Sequence, residues 1–485
     1  MKPLVHVRLH ASSRLRAVAV TALVLLLGAC AATPPMPELH ASVPAAFAAD
    51  QGWHPVGAAA AMPADGAWWK VFGDPELDAL QDQLLRRNQT LAGQLAVYDQ
   101  ARAALDQARA AYAPVLSGSA GATRADSGGG AGPANQLSAQ LKASWEPDLW
   151  GSVRLQVQQG RANLQASADT LRSTRLSLQA NLGLSYLQLR TVDEQVRLAD
   201  ATVRDDLHAL QLTQGRYAAG VATAADVAQA RVQWLQARTT RTDLEVTRKQ
   251  LLDAIAVLVG QPAPGFTLPQ RPGLPQLPRI PAGVPADLLL RRPDLGAALQ
   301  KVQAANAQIG IDQRAWLPTL TLGASGGSQA ATLASLFSAP SLYWSLGPGL
   351  AATLFDGGLR SAQLASSRAA YRQTVAGYRL GVLQAMQQVE DNLAGQRILQ
   401  HEAQQQDEVV QAADVSLRLA TNQYKAGTAN YLSVLSAQTT ATQARNATLT
   451  LLNRRYAAAV NLIAALGGAW GDAASAPAAA QPAAH

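Results

Sequence analysis

The chain has 485 residues, of which 15% are charged and only one is a cysteine. The single cysteine excludes an intramolecular disulfide or a cysteine metal cluster, and the low charged fraction, against about a quarter in typical domains, predicts extensive surface shared with lipid or other chains. The net charge of +7 does not indicate nucleic-acid binding, because four basic residues precede residue 17 and no basic cluster follows.

The first 29 residues are predicted to be a signal peptide. Basic residues precede the apolar run 17–27, which is too short for a stable membrane span. The segment Leu27-Gly28-Ala29-Cys30 resembles the bacterial lipobox, which implies cleavage before Cys30 and lipidation there. Ala31 stands where an aspartate would signal retention in the inner membrane, so the outer membrane is favoured. The alternative is an ordinary signal peptide with a chance cysteine.

Residues 30–66 are rich in alanine and proline and are predicted to form a lipidated, extended arm. The first folded segment is 67–260. It begins with a helix capped by Asp74 and running to about Ala111, and continues with two strands, at about 113–124 and 136–147. A long helix then covers about 148–217, with apolar residues at alternating gaps of three and four.

The second half repeats this plan. A shift of 204 residues superposes the apolar pattern of the first long helix on a second one at 356–424, and the off-pattern Arg175 recurs as Arg379. Both arginines are predicted to be structural. The segment 294–468 is therefore a second repeat, with strands at about 316–326 and 342–355. Each 70-residue helix would be about 100 Å long, far longer than a globular domain needs.

The strands alternate between apolar and polar residues, which predicts one apolar and one wet face. Aromatic residues stand where strands meet helices and again about ten residues away, the pattern of the girdles of a transmembrane barrel. The alternative is a soluble hairpin packed on the helices. Four strands cannot close a barrel, so several copies are needed. The aromatic residues are Tyr112, Trp145, Trp150, Trp316 and Phe355 at the junctions and Tyr343 and Trp344 at the other end.

Between the repeats, 261–293 is predicted to be a strap that crosses outside the helices, because nine prolines from residue 260 to residue 293 exclude a long helix. The tail, 469–485, is rich in alanine and proline and is predicted to be disordered.

These features together resemble the TolC-like family of outer-membrane efflux channels, in its lipoprotein branch that serves resistance-nodulation-division pumps. The resemblance covers about 66–468. It is carried by Trp68-Trp69 with Asp74-Pro75, by Arg291-Arg292-Pro293-Asp294-Leu295, by the segment 302–310 with Pro318, by Leu354-Phe355-Asp356-Gly357-Gly358, and by two turns, 216–227 and 423–435.

The resemblance implies a mainly helical fold with a small β part and an internal two-fold repeat. It implies a homotrimer in which four strands per chain complete a twelve-stranded transmembrane β-barrel, and four long-helix layers per chain form a periplasmic α-barrel of twelve helices. Its lower end would dock a periplasmic adaptor and an inner-membrane pump. Small molecules from the pump would then leave passively, through a lipid-anchored outer-membrane channel that extends into the periplasm.

The two turns join long helices to returning ones and form the tips of helical hairpins, with Gly220 and Gly427 as C-cap glycines. In the family these tips form the gate and contact the adaptor, so the resemblance implies docking at both glycines. The family's tyrosine and aspartate latch maps onto Tyr424 and Asp226, but its arginine position is Ala429. The gate is then expected to depend on packing and uncharged hydrogen bonds. Its further residues are Tyr431, Leu432, Ser433 and Ser436.

Structural alternatives stand beside two of these roles: Asp226 as a helix N-cap and Tyr424 as an interhelix packing residue. No cofactor, metal or catalytic site is predicted. Of the histidines, only His208 and His401 lie in predicted helices, and neither has a partner at the spacing of a metal site. The remaining alternatives are a duct for type I protein secretion and a purely structural coiled-coil lipoprotein.

Overall fold

The computed structural model describes residues 66–126, 132–278 and 291–468. The predicted signal peptide, Cys30, almost all of the arm, part of the strap and the tail lie outside these residues. The described chain forms two compact units. The first contains Tyr98–Ser167 and Ala297–Tyr378, and the second contains Ala168–Gly296 and the segments before Tyr98 and after Tyr378.

Long helices dominate the secondary structure, as predicted. The helices of the two halves match in length: α3 and α6 have 67 residues each, α4 and α7 have 35, and α2 and α5 have 22. In the described part of the chain, no helix combines the length and apolar character needed to cross a membrane. The helices are α1 (Pro75–Arg87), α2 (Gln89–Ala110), α3 (Ser152–Ala218), α4 (Ala224–Leu258), α5 (Pro293–Arg314), α6 (Leu359–Lys425) and α7 (Tyr431–Ala465).

The single helix predicted from Pro75 to Ala111 is wrong, because Asn88 divides it into α1 and α2. Asn88 has an extended backbone (φ −66°, ψ 123°), which interrupts the helical hydrogen bonds. Its side chain accepts from the Leu91 N–H at 2.9 Å and donates to the Leu258 carbonyl at 2.8 Å. The predicted cap at Asp74 is confirmed, since its carboxylate accepts the Glu76 N–H at 2.9 Å.

The four predicted strands are confirmed as one antiparallel sheet in the order β1-β2-β3-β4. Their ends differ by up to four residues from the predicted ones. A 3₁₀ helix at Trp68–Phe72 precedes α1. The strands are β1 (Val115–Ala125), β2 (Ala134–Trp145), β3 (Thr319–Ala330) and β4 (Leu342–Ala351).

The register places the apolar side chains of all four strands on one face of the sheet. One row across the sheet is Gly118, Leu141, Gly326 and Trp344, and a neighbouring row is Leu116, Ala143, Ala324 and Leu346. The alternate rows carry the polar residues, for example Ser119, Gln140, Gly327 and Tyr343. Most of the large apolar side chains of this face are exposed in the single chain. We call it the apolar face.

The aromatic bands are partly as predicted. Trp344 pairs with Gly326, which is ten residues along the chain from Trp316. Trp145, however, pairs with Leu322, so its row lies only four residues, or about 13 Å, from the row of Trp344. The Trp145 indole donates to the Tyr112 carbonyl at 3.0 Å, which holds both residues at the helix end of the sheet.

The described part of the strap, 261–278, contains no helix, as its prolines predicted. Backbone and side-chain hydrogen bonds fix it to the second unit. Gln276 N–H donates to the Phe72 carbonyl at 3.0 Å, Arg248 donates to the Leu268 carbonyl at 2.8 Å, and Gly273 N–H donates to Glu194 at 3.1 Å. The strap is therefore an ordered part of this unit.

Arg190, on α3, lies beside the strap and is only 2% exposed. Its guanidinium donates to Asp193 at 2.8 Å, to the Pro269 carbonyl at 2.9 Å and to the Tyr186 hydroxyl at 3.0 Å, and it pairs with Glu76 of α1. One buried cation thus links α1, α3 and the strap. The predicted apolar spacing of α3 is confirmed here by the buried Leu182, Leu189, Val192 and Val196.

Candidate functional site

The two predicted turns are the tips of two helical hairpins, α3–α4 and α6–α7. Each long helix ends two residues before a glycine with positive φ, Gly220 at +73° and Gly427 at +75°. A side chain would not clash with neighbouring atoms at either position, because nothing lies within 4 Å of a Cβ placed there. The left-handed backbone alone favours glycine. The following residues, Thr223 and Asn430, are the N-caps of α4 and α7.

Asp226 is engaged with its own hairpin. It forms a capping box with Thr223: its carboxylate accepts from the Thr223 N–H at 2.9 Å and hydroxyl at 2.8 Å, and the Asp226 N–H donates to the Thr223 hydroxyl oxygen at 3.2 Å. These hydrogen bonds lower the pKa of the Asp226 carboxyl. In the single chain Asp226 therefore caps α4 and has no described contact with Tyr424.

We expect Thr223→Ala and Asp226→Ala to destabilise the protein by similar amounts, about 1 kcal/mol each, because each removes one side of the same cap. Since the pKa of Asp226 is lowered by folding, its share should be present near neutral pH and lost as pH falls through the folded-state pKa. Thermal unfolding at pH 7 and pH 3 measures both effects. An unchanged melting temperature for Asp226→Ala at pH 7 would contradict the capping role.

Tyr424 and Tyr431 form a buried cluster that joins the two hairpins. Their ring centroids lie 5.7 Å apart with the planes inclined by 59°. Around them pack Leu210 of α3, Ala230 of α4, and Val434 and Leu435 of α7. The tip of α6–α7 is thus held against α3 and α4 by side-chain packing within one chain.

Arg216 completes this cluster, and sequence reasoning missed it. Its guanidinium carbon lies 4.5 Å from the Tyr424 ring centroid, and its Nη1 donates to the Tyr424 carbonyl at 3.5 Å. A cation thus stands beside Tyr424 although the family's arginine position is Ala429. The available signal was a basic residue in the last turn of a helix, where it stabilises the terminal carbonyls.

Leu432, Ser433 and Ser436 behave differently from Tyr431. All three are exposed, with Leu432 at 63%. The Ser433 hydroxyl donates to the Asn430 side chain at 2.9 Å and so takes part in the cap of α7. Of the residues assigned to the gate, the chain brings Tyr424 and Tyr431 together, keeps Asp226 in its cap, and presents these three on the surface of the hairpin.

Asp206 is a buried carboxylate beside the cluster that the sequence did not single out. Gln438 of α7 donates to it at 2.6 Å. Burial, reinforced by the neighbouring Asp205, raises the pKa of Asp206 to about 6. Burial and the charge of Asp206 also raise the pKa of Tyr431, to about 12. Tyr431 and Gln438 line a groove of about 320 Å³, and the basic residues His208, Lys425 and Arg445 line it as well.

Among the described residues, no group of three or more His, Cys, Asp or Glu side chains could hold a metal ion.

The sequence profile of the outer membrane efflux protein family matches residues 80–261 and 284–468. The chain belongs to this family. It is therefore an outer-membrane efflux channel protein and not an enzyme.

Curated outer-membrane efflux proteins are similar in sequence to almost the whole chain. The pyoverdine export outer membrane protein OpmQ of Pseudomonas aeruginosa is 33% identical over 459 residues, which cover 92% of this chain and 95% of that protein. The probable efflux pump outer membrane protein TtgC of Pseudomonas putida is 31% identical and covers 94% and 96%.

The fold agrees as well. The solved structure of the outer-membrane channel OprN is 26% identical, covers 89% of this chain and 98% of its own, and superposes with a TM-score of 0.81. The mainly helical architecture with one small antiparallel sheet is that of TolC-like channels.

Proposed function

We propose that this chain forms the outer-membrane channel of a tripartite efflux system, in which small molecules passed on by an inner-membrane pump through a periplasmic adaptor leave the cell passively. The observation that carries the proposal is the segregated sheet, with large apolar side chains on one face and polar side chains on the other. The apolar face would meet lipid and the polar face a water-filled lumen.

The sheet also supports assembly of several copies. Within the described residues, β1 and β4 each pair on one side only, and an open edge in lipid would leave backbone groups without partners. Two copies would give eight strands and a filled interior, whereas three give twelve strands and room for a lumen. We therefore propose a homotrimer with a twelve-stranded barrel.

The helices support the second part of the proposal. The equal lengths of corresponding helices favour an internal two-fold repeat, in which both hairpins of each chain reach the same level. Three copies would then supply twelve long helices to a periplasmic α-barrel. The hairpin tips would form its gate, and Gly220 and Gly427 would mark the turns that the adaptor contacts. A lipid anchor at Cys30 belongs to the same proposal.

The experiment that tests the function is single-channel conductance in a planar bilayer, with the mass of the same preparation measured in detergent. We expect a trimer that is mostly shut and opens in brief events. A monomer that never conducts would mean that the strands do not line a membrane pore, and it would contradict the proposal.

We expect Leu432→Ala to raise the open probability by roughly tenfold or more. One exposed leucine on the α6–α7 tip of each chain would close the pore by packing against its copies, and truncation removes that apolar contact three times over. The matched control is Leu383→Ala, since Leu383 is also 63% exposed but lies far from the tips on α6. Equal open probability for the Leu432 variant and the wild type would contradict a packing gate.

A further inference from the structure

The apolar face contains a shallow trough where large side chains are missing. Two adjacent rows cross it: Gly118, Leu141, Gly326 and Trp344, and Ala120, Ala139, Ser328 and Leu342. In these rows the residues of β1, and those of β3, are glycine, alanine or serine. The trough has a volume of about 730 Å³. Most of its lining residues belong to the apolar face, among them Leu141 and Leu342, and Phe337 of the β3–β4 loop also lines it, together with Gln140 and Tyr343 of a polar row. Its volume is large enough to hold an alkyl chain.

The hydroxyl of Ser328 is a polar group in the lining of the trough. The residue is only 3% exposed, and its hydroxyl has no hydrogen-bond partner among the described residues. A buried hydroxyl without a partner is unfavourable. Since Ser328 lines the trough, a ligand there could supply the missing partner through an ester, amide or hydroxyl group beside its alkyl chain.

A cation lies on the same face beyond the trough. Arg124 of β1 pairs with Asn135 of β2, four residues along β1 from Ala120 and therefore about 13 Å further toward the hairpin loops. Its side chain is exposed and makes no ion pair within the described residues. The order along this face, from the helix end outward, is apolar trough, buried hydroxyl and then cation, which is the order of alkyl chain, acyl linkage and phosphate in a membrane lipid.

We propose that the trough is a binding site for an acylated, phosphorylated lipid of the outer leaflet, with an acyl chain over Gly326, its linkage at Ser328 and a phosphate near Arg124. The site depends on the proposed function, which puts this face against lipid. Assembly would not cover it, because copies would join through the edges of β1 and β4 and leave the face open. Trp344 and Phe337, which are 81% and 77% exposed, would flank the bound lipid.

The test is native mass spectrometry of the purified channel after incubation with diphosphoryl lipid A, dephosphorylated lipid A or phosphatidylethanolamine. Gly326→Leu fills the trough, and a Cβ at Gly326 would come no nearer than 3.8 Å, to the Tyr343 carbonyl oxygen. Its control is Gly347→Leu on the opposite face, where nothing lies within 4 Å. Arg124→Gln, on the apolar face, is matched by Lys142→Gln, which removes a cation from the polar face, and Ser328→Ala removes the hydroxyl.

We expect the wild type to retain diphosphoryl lipid A in preference to both other lipids. Gly326→Leu should lower that retention about tenfold, since it displaces several methylene contacts. Arg124→Gln should weaken binding of the phosphorylated lipid about fivefold without affecting the dephosphorylated one. Ser328→Ala should also lower retention, and the two controls should behave as wild type.

Equal retention by Gly326→Leu and wild type would overturn the site. Equal retention of dephosphorylated lipid A would overturn the phosphate contact at Arg124, and equal retention of phosphatidylethanolamine, which also carries a phosphate, would overturn the preference for an outer-leaflet lipid. The mass and conductance of the same samples separate this inference from the proposed function. A conducting trimer with unaltered retention in every variant contradicts only the lipid site, whereas a wild type that neither trimerises nor conducts contradicts the channel.

Discussion

Replacing Arg190 by methionine should destabilise the second unit by about 3 kcal/mol or more. The substitution keeps most of the side-chain volume but leaves Glu76, Asp193 and the Pro269 carbonyl without their shared donor in a buried environment. Removing one partner of a buried ion pair costs about 3–5 kcal/mol, because the remaining charge stays desolvated. Asp193 keeps Arg248 at 2.7 Å, which places the expected value at the lower end of that range.

Thermal unfolding followed by circular dichroism measures this loss. The matched control is Arg197→Met, on the same helix and also paired with a carboxylate, but 69% exposed at its side chain. It should cost at most about 1 kcal/mol. Equal losses for the two variants would show that burial of Arg190 contributes nothing.

Asp206→Asn should stabilise the hairpin tips at pH 8 by about 1–3 kcal/mol and change little at pH 4. Folding raises the pKa of this carboxyl to about 6 from its ordinary value near 3.8. The folded state therefore binds the proton more tightly than the unfolded state, so stability falls as pH rises from about 4 to 6 and stays lower above that. Asparagine is uncharged throughout and can still accept from Gln438.

Melting temperatures between pH 4 and 8 test this prediction. The wild type should lose stability across that interval through Asp206, and the variant should lose less. Asp205→Asn is the control, because Asp205 is the exposed neighbour and its removal should change the profile only slightly. A variant that is less stable than wild type at pH 8 would contradict a desolvated, unfavourable charge at Asp206.

The sequence predicted the elements whose pattern repeats over many residues. The alternating spacing of α3 fixed its buried stripe, including Leu182 and Leu189, because a long amphipathic helix leaves few choices of buried face. The period of two in β2 likewise fixed which side chains share the apolar face. The left-handed glycines at the tips were predictable for a different reason, because local backbone geometry alone favours glycine there.

Features that depend on distant partners could not be read in this way. Asn88 ends α1 through a hydrogen bond to Leu258, which lies 170 residues away. Arg190 differs from the exposed Arg175 only in its surroundings, so nothing in its own segment distinguished it. The stacking of Arg216 on Tyr424 joins residues 208 apart, and no local pattern connects them.

The segregated sheet has a consequence for biogenesis. Before copies join, each chain would carry an exposed surface of leucine and tryptophan and two strand edges able to accept a further strand. Both are hazards for aggregation in water. The second unit has its own buried core, so under the proposed function it would fold in the periplasm before the sheet enters lipid. Completion of the proposed barrel would then be the step at which a holding chaperone matters most.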